Sequence, residues 1–173
     1  LYLDRPIVEW LRPIYKASPL TPVLEGFDAV VSFFGHGATQ AVAIALLYLV
    51  GIFLSPSLRQ AGKGLFLAFL TSGALAQILK HLLGRARPRV TMDTIFIGPT
   101  MKASYDSFPS GHTIVTFCLA YVLASYFPRY RCWFYAFAAV VALERIICVT
   151  HFPSDVVAGT VIGLLTGVVL DRK

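Results

Sequence analysis

The sequence predicts an all-α fold: a polytopic membrane helical bundle of five to six transmembrane helices, preceded by an N-terminal interfacial helix. Three observations lead there. Of the 173 residues, 57% are hydrophobic and only 14% charged, and a mean hydropathy of +0.70 is too high for a soluble domain of this length. Apolar runs recur at about 37–54, 63–83, 111–127, 132–150 and 154–170, each approaching the roughly 20 residues that cross a hydrocarbon core. Pro56, Pro88, Pro109, Pro128 and Pro153 mark the breaks, where a residue that cannot continue a helix belongs. Residues 1–173 read as a single domain.

Residues 1–17 contain Asp4, Arg5, Glu9, Arg12 and Lys16, which suits neither the apolar core of a leader peptide nor a spanning helix. Leu3, Ile7, Trp10, Leu11 and Ile14 recur at helical spacing, with Tyr2, Trp10 and Tyr15 as interface anchors, so this segment is expected to lie on the membrane. A second short piece, about 22–34, carries Glu25 and Asp28 and reads as interfacial or partly inserted. If 20–35 crosses instead, it is the sixth helix and only the N-terminus changes side. In the last apolar run Gly159, Gly163 and Gly167 stand four apart, a small-residue seam for close helix packing, expected inside the monomer rather than at a dimer contact. Cys118, Cys132 and Cys148 lie in or beside apolar runs without Cys-x-x-Cys or zinc spacing, and are read as packing residues.

The formal net charge is +6, but the basic residues are split among short segments and form no stripe, so no nucleic-acid partner is indicated. They mark membrane topology and an anion site. An Arg or Asp at the centre of a membrane helix costs roughly 2.5–3.5 kcal/mol on insertion scales, so ionisable residues between apolar runs are candidates for function. Three such clusters occur: Lys80 to Pro88, Phe108 to His112, and Arg145 to Asp155. With five crossings, all three fall on one membrane face. Arg59, Lys63, Arg129, Arg131, Arg172 and Lys173 fall on the other, which the positive-inside rule makes cytoplasmic. The expected location is the bacterial inner membrane, with the clusters toward the periplasm.

Lys80, Arg87 and Arg145 bring three cations to that face, a repulsion that an anion relieves. The Arg fork suits phosphate oxygens, and Ser110 and Gly111 at a helix start offer a hydroxyl and backbone N–H donors. No Asp/Glu cluster suited to magnesium is visible, so neither a metal nor another cofactor is indicated. His151 and Asp155 stand four apart, spaced for a carboxylate to fix the tautomer of a nucleophilic imidazole. His112, from another helix, is placed to protonate a leaving oxygen. His36 and His81 lack such a setting and are assigned to structure. The loop 84–108 is long for a compact chain; its Arg85, Arg89 and Lys102, beside Ile95, Phe96, Ile97 and Met101, are candidate contacts to a lipid headgroup, unless the loop is a solvated connector.

Lys80-x6-Arg87-Pro88, Pro109-Ser110-Gly111-His112 and Arg145-x5-His151-x3-Asp155 together resemble the three-part signature of the type 2 phosphatidic acid phosphatase (PAP2) superfamily, over about residues 22–170. The resemblance implies a metal-independent membrane phosphatase working through a phosphohistidine. His151 would be the nucleophile, Asp155 its partner and His112 the general acid, with Lys80, Arg87, Ser110, Gly111 and Arg145 holding the phosphate. The implied partners are a lipid phosphate or pyrophosphate and the bilayer; the oligomeric state stays open. Within the superfamily the chain is most similar to bacterial envelope enzymes, lipid A 1-phosphatases first, then undecaprenyl pyrophosphate and phosphatidylglycerophosphate phosphatases. One position departs: Glu144 stands where the family usually has Ser, so that Ser's phosphate contact does not transfer.

Overall fold

A computed structural model describes residues 2–92 and 94–171; Arg172 and Lys173, assigned above to the cytoplasmic side, lie outside them. The helices in chain order are α1 (Asp4–Ala17), α2 (Thr21–Gly35), α3 (Gly37–Leu54), α4 (Pro56–Leu83), α5 (Gly111–Tyr126), α6 (Arg131–Ile147) and α7 (Pro153–Leu170), with a 3-10 turn, Pro128–Tyr130, before α6. Helices α3, α4 and α7 are long and apolar enough to cross a membrane, and α5 is a shorter apolar helix. Two isolated bridges, Arg85 to Phe96 and Arg85 to Asp106, are the extended pairings among the described residues.

Prolines start helices here. Pro56 and Pro153 occupy the first turns of α4 and α7, where the missing N–H is no loss. Helix α4 runs 28 residues, about 42 Å, and stops at Gly84, whose φ of 58° is left-handed and favours glycine. An added carbon on Gly84 would lie 2.2 Å from the Gly98 carbonyl, so the loop closes directly onto the helix end.

Helix α5 is central and packs against α4, α6 and α7. It buries Thr113, Ile114, Val115, Thr116, Cys118, Ala120 and Val122, which lie all around its axis, as expected of a helix enclosed by others. The glycine seam of α7 faces α5 within the same chain: carbons added at Gly159, Gly163 and Gly167 would lie 2.9 Å from the Ser110 carbonyl, 2.4 Å from the Ile114 carbonyl and 2.8 Å from Tyr121 Cβ. Of the cysteines, Cys118 and Cys148 are buried and Cys132 is exposed, so the packing role expected for all three holds for two. Cys132 follows Arg131 in the first turn of α6.

The two N-terminal helices lie across one end of the bundle. Helix α2 touches that end throughout: Cys148 Sγ contacts the Leu24 carbonyl, Arg145 bonds Asp28 and Ser32, and Gly35 abuts His112. Helix α1 turns Asp4 and Val8 inward, both buried, with Leu11 and Tyr15 beside Val8 against Val149 and Phe152. Its opposite side leaves Tyr2, Leu3 and Trp10 exposed. The apolar spacing read from the sequence therefore joined residues of both sides, Leu3 and Trp10 facing outward and Leu11 inward, and missed that the inward side begins with a carboxylate.

Filling a closely packed seam costs about 1–3 kcal/mol. Gly163→Ala is expected to lower the melting temperature of the detergent-solubilised protein by roughly 5 °C. Gly73→Ala on α4, where an added carbon meets nothing within 4 Å, is expected to leave it unchanged or raise it. Equal losses from both would show that the seam does not hold α7.

Candidate active site

The turn between α6 and α7 is built on one carbonyl. The Arg145 oxygen accepts from the N–H of Thr150 at 3.1 Å, the N–H of His151 at 3.0 Å and the Thr150 hydroxyl at 2.7 Å, which fixes the imidazole relative to the end of α6. The turn needs Val149 at φ 54°, a costly conformation for a β-branched residue. His151 is buried, with Nδ1 3.5 Å from Asp155 Oδ2. That is longer than a hydrogen bond, and Nδ1 has no other bonded partner. The Asp155 oxygen accepts instead from the Ser107 hydroxyl at 2.6 Å and the Phe152 N–H at 2.9 Å. Burial pushes the His151 imidazole below its ordinary value, against the opposing pull of Asp155.

The second wall comes from the end of α4 and the loop after it. Arg87 makes a two-pronged pair with Asp106 at 2.9 and 2.6 Å, and Lys80 Nζ lies 3.6 Å from the same carboxylate. The start of α5 closes on both. The Ser110 N–H donates to the Asp155 carbonyl at 3.1 Å, and a carbon added to Gly111 would lie 3.4 Å from Lys80 Cε, so glycine there lets the ammonium approach the helix start. His112 follows, near enough to feel the charges of Arg145, His151, Lys80 and Arg87.

Arg145 is held from two sides. Its guanidinium donates to Asp28 at 2.9 Å and Ser32 at 2.7 Å on α2, and its Nε makes a short bond to Glu144. The cations that the sequence left facing one another are therefore each matched by a carboxylate: Asp106 for Lys80 and Arg87, Asp28 and Glu144 for Arg145. Folding also makes an acidic grouping that the sequence did not reveal, Asp28, Glu144 and Cys148, with ligand atoms within 4.8 Å of one another. Arg145 already supplies positive charge to both carboxylates.

The structure thus brings together Lys80, Arg87, Ser110, Gly111, His112, Arg145, His151 and Asp155. It separates the three headgroup candidates. Arg85 is a correction: it is wholly buried, bonded to Asp155, to Ser154 at 2.7 Å and to Asp4 at 2.7 Å, because its side chain runs inward from the end of α4. Arg89 is exposed but holds the Cys148 carbonyl at 2.8 Å and the Tyr15 hydroxyl at 3.1 Å. Lys102 is exposed over the Tyr105 ring. The loop is neither a plain connector nor a free flap: Arg85, Ala86, Pro88 and Ser107 are buried beneath it, while Val90, Ile95, Ile97 and Met101 face outward. Asp4, Asp28, Asp106 and Ser107 were not marked by any motif.

A family model described as the PAP2 superfamily matches residues 61–172. The chain belongs to the PAP2 superfamily. Over 121 residues it is 40% identical to a protein named lipid A 1-phosphatase in Rhizobium etli, covering 64% of this chain and 51% of that one. A Rhizobium johnstonii protein of the same name is 38% identical over 118 residues, covering 64% and 48%. The chain spans about half the length of these curated relatives. Among solved structures, Aquifex aeolicus LpxE superposes with a TM-score of 0.70 at 27% identity, covering 95% of this chain and 94% of that one. A Bacillus subtilis PAP2-type phosphatidylglycerolphosphate phosphatase shares the fold, with a TM-score of 0.70 at 24% identity over 98% and 83%. The PAP2 match contains all three polar clusters, whereas Asp4 and Asp28 lie before it.

In this PAP2 site, burial alone would raise the Asp106 carboxyl, but the Arg87 bonds and the charges of Arg87 and Lys80 outweigh it and hold the group well below the usual carboxylate range. A carboxyl lowered on folding stabilises the fold fully above its unfolded value of about 3.9, and that contribution fades as pH falls toward the folded value. Asp106→Asn is expected to lower the melting temperature at pH 7 by about 2–4 °C. The difference from wild type should narrow below about pH 4; a difference constant with pH would remove the ion pairs as its cause.

Proposed function

We propose that this chain is an integral membrane lipid phosphatase that works through a phosphohistidine, with a lipid A 1-phosphate as its first candidate substrate. The observation that carries this is His151, buried 3.5 Å from an oxygen of Asp155 and within the field of Lys80, Arg87 and His112. Its Nε2 attacks phosphorus while the bond from phosphorus to the lipid oxygen breaks, and His112 gives that oxygen a proton. Asp155 stabilises the charge left on the imidazole, the His151–Asp155 contact shortening by roughly 0.5 Å to a hydrogen bond. Water then attacks the phosphohistidine, losing a proton to His112, and phosphate leaves. Lys80, Arg87, Arg145, the Ser110 hydroxyl and the Gly111 N–H hold the phosphoryl oxygens, the Ser110 N–H being taken by the Asp155 carbonyl.

Five crossings, α3 to α7, fit the arrangement, since α2 touches the site end along its length. Arg59, Lys63, Arg129 and Arg131 then lie at the opposite end, and the positive-inside rule turns the site toward the periplasm of a bacterial inner membrane. The lipid A preference rests on the Rhizobium relatives. Phosphatidylglycerophosphate is the next substrate, because a Bacillus subtilis phosphatidylglycerophosphatase B is 30% identical over 136 residues; undecaprenyl pyrophosphate follows.

Purified protein in chelator, given lipid A 1-phosphate, phosphatidylglycerophosphate and undecaprenyl pyrophosphate separately, is expected to release phosphate from at least one. His151→Ala should reduce this to background and His112→Ala by about 10²–10⁴-fold. Because burial pushes the His151 imidazole below its ordinary value of about 6.5, the acid limb of the rate should lie below that value, while loss of the His112 proton should set the alkaline limb. Turnover surviving in His151→Ala would reject the nucleophile, and binding without turnover across the panel would make the protein a lipid-phosphate carrier.

A further inference from the structure

Taking His151 as the nucleophile proposed above, we infer that Asp4 and Arg85 are positioning residues for the His151–Asp155 pair, and that α1 is a working part of the site. The two oxygens of Asp155 are both governed by Arg85. The guanidinium bonds Oδ1 directly, while the Arg85 carbonyl accepts from the Ser107 N–H at 2.9 Å, and the Ser107 hydroxyl donates to Oδ2 at 2.6 Å. Oδ2 is the oxygen that faces the imidazole. Turning Asp155 therefore requires moving Arg85.

Arg85 is enclosed on all sides and presents no atom to the surface. It is wholly buried, with its guanidinium carbon 4.2 Å from the Phe152 ring centroid and 5.3 Å from that of Phe96. One terminal nitrogen holds Asp155 and Ser154, and the other holds Asp4. Asp4 in turn accepts from the Ser154 N–H at 2.9 Å and from its hydroxyl, so its carboxylate binds the first turn of α7 as well. The result is a buried carboxylate–guanidinium–carboxylate row, Asp4–Arg85–Asp155, ending at the imidazole.

In that row the cation is shared. With Asp4 present, Arg85 is half-satisfied from behind, and Asp155 keeps enough negative charge to support the imidazole. Neutralising Asp4 concentrates the guanidinium on Asp155 and weakens its hold on His151, whereas removing the guanidinium leaves Asp155 more basic and freer to turn. The two changes should therefore move the His151 titration in opposite directions. The other groups facing His151 are Lys80 from α4, Arg87 from the loop, His112 from α5 and Arg145 from α6, whose partners Asp106, Asp28 and Glu144 stay unchanged in either variant.

The test uses Asp4→Asn and Arg85→Gln in the full chain, with Arg85→Lys as the conservative variant, each compared at equal folded fraction. Asp4→Asn is expected to lower kcat by about 10–100-fold, the range for residues acting through a catalytic neighbour, with KM within about twofold. Its acid limb should shift to lower pH by about half a unit or more. Arg85→Gln should lower kcat with the limb shifted to higher pH, and Arg85→Lys should restore the limb more than the rate, since it keeps the charge and loses the fork. The His151 titration, followed by NMR of histidine-labelled protein, gives the same shifts without turnover, so it stands if the phosphatase assignment fails; His151→Ala run in parallel tests that assignment separately. Where Arg85→Gln does not fold, Asp4→Asn alone decides. Unmoved titration in a folded Asp4→Asn, shifts of the same sign in both variants, or a KM rise at constant kcat would each overturn the positioning role.

Discussion

A carboxylate sealed from water inside a hydrocarbon-clad bundle persists only beside a positive charge, and Asp155 is where this protein meets that constraint. Asp155 is fully buried, and desolvating an unpaired charge costs several kcal/mol. Arg85 answers it, and Arg85 then requires Asp4, which ties α1 to the start of α7. The same logic is repeated on the other walls. Lys80 and Arg87 share Asp106, and Arg145 takes Asp28 and Glu144, which ties α2 across the end of α6. The positions of both N-terminal helices follow from charge balance at the site as much as from apolar packing.

Carboxylates on all the cations change what an incoming anion meets. A phosphoryl group bound as proposed between Lys80, Arg87 and Arg145 would gain only the difference between its own attraction and that of Asp106, Asp28 and Glu144. Such a site holds its cations in place without binding the anion too firmly to release it. Asp106 and Asp28 are partly exposed while Glu144 is sealed, so the first two are able to yield and the third is not. The departure at Glu144 from the family's usual Ser thus replaces a hydroxyl with a fixed partner for Arg145.

What was legible in the sequence follows from the cost of charge in apolar surroundings. Lys80, Arg145, His151 and Asp155 drew attention because they interrupt hydrocarbon-like runs, and the prolines and the α7 glycines mark helix starts and a close seam by steric rules that act locally. Asp4, Asp28 and Asp106 sit in stretches already polar, where one more carboxylate raises no question; only the fold shows that each faces a cation 19 to 117 residues away. Arg85 misled for the opposite reason. An arginine two residues before a site arginine, in a basic loop, resembles its neighbours in every local respect, and the inward turn at Gly84 that buries it is a tertiary event.

The row joining Asp4, Arg85 and Asp155 also makes the site the joint product of distant parts of the chain. Its members are drawn from α1, the loop after α4, and α7, and Ser110 finds its carbonyl partner only on that last helix. Without α7, Arg85 would keep Asp4 and lack Asp155, and the proposed phosphate-holding residues would face no nucleophile. On the proposed mechanism the attacking imidazole is therefore aligned only where α1, the loop after α4 and α7 meet, three stretches that no local sequence rule brings together.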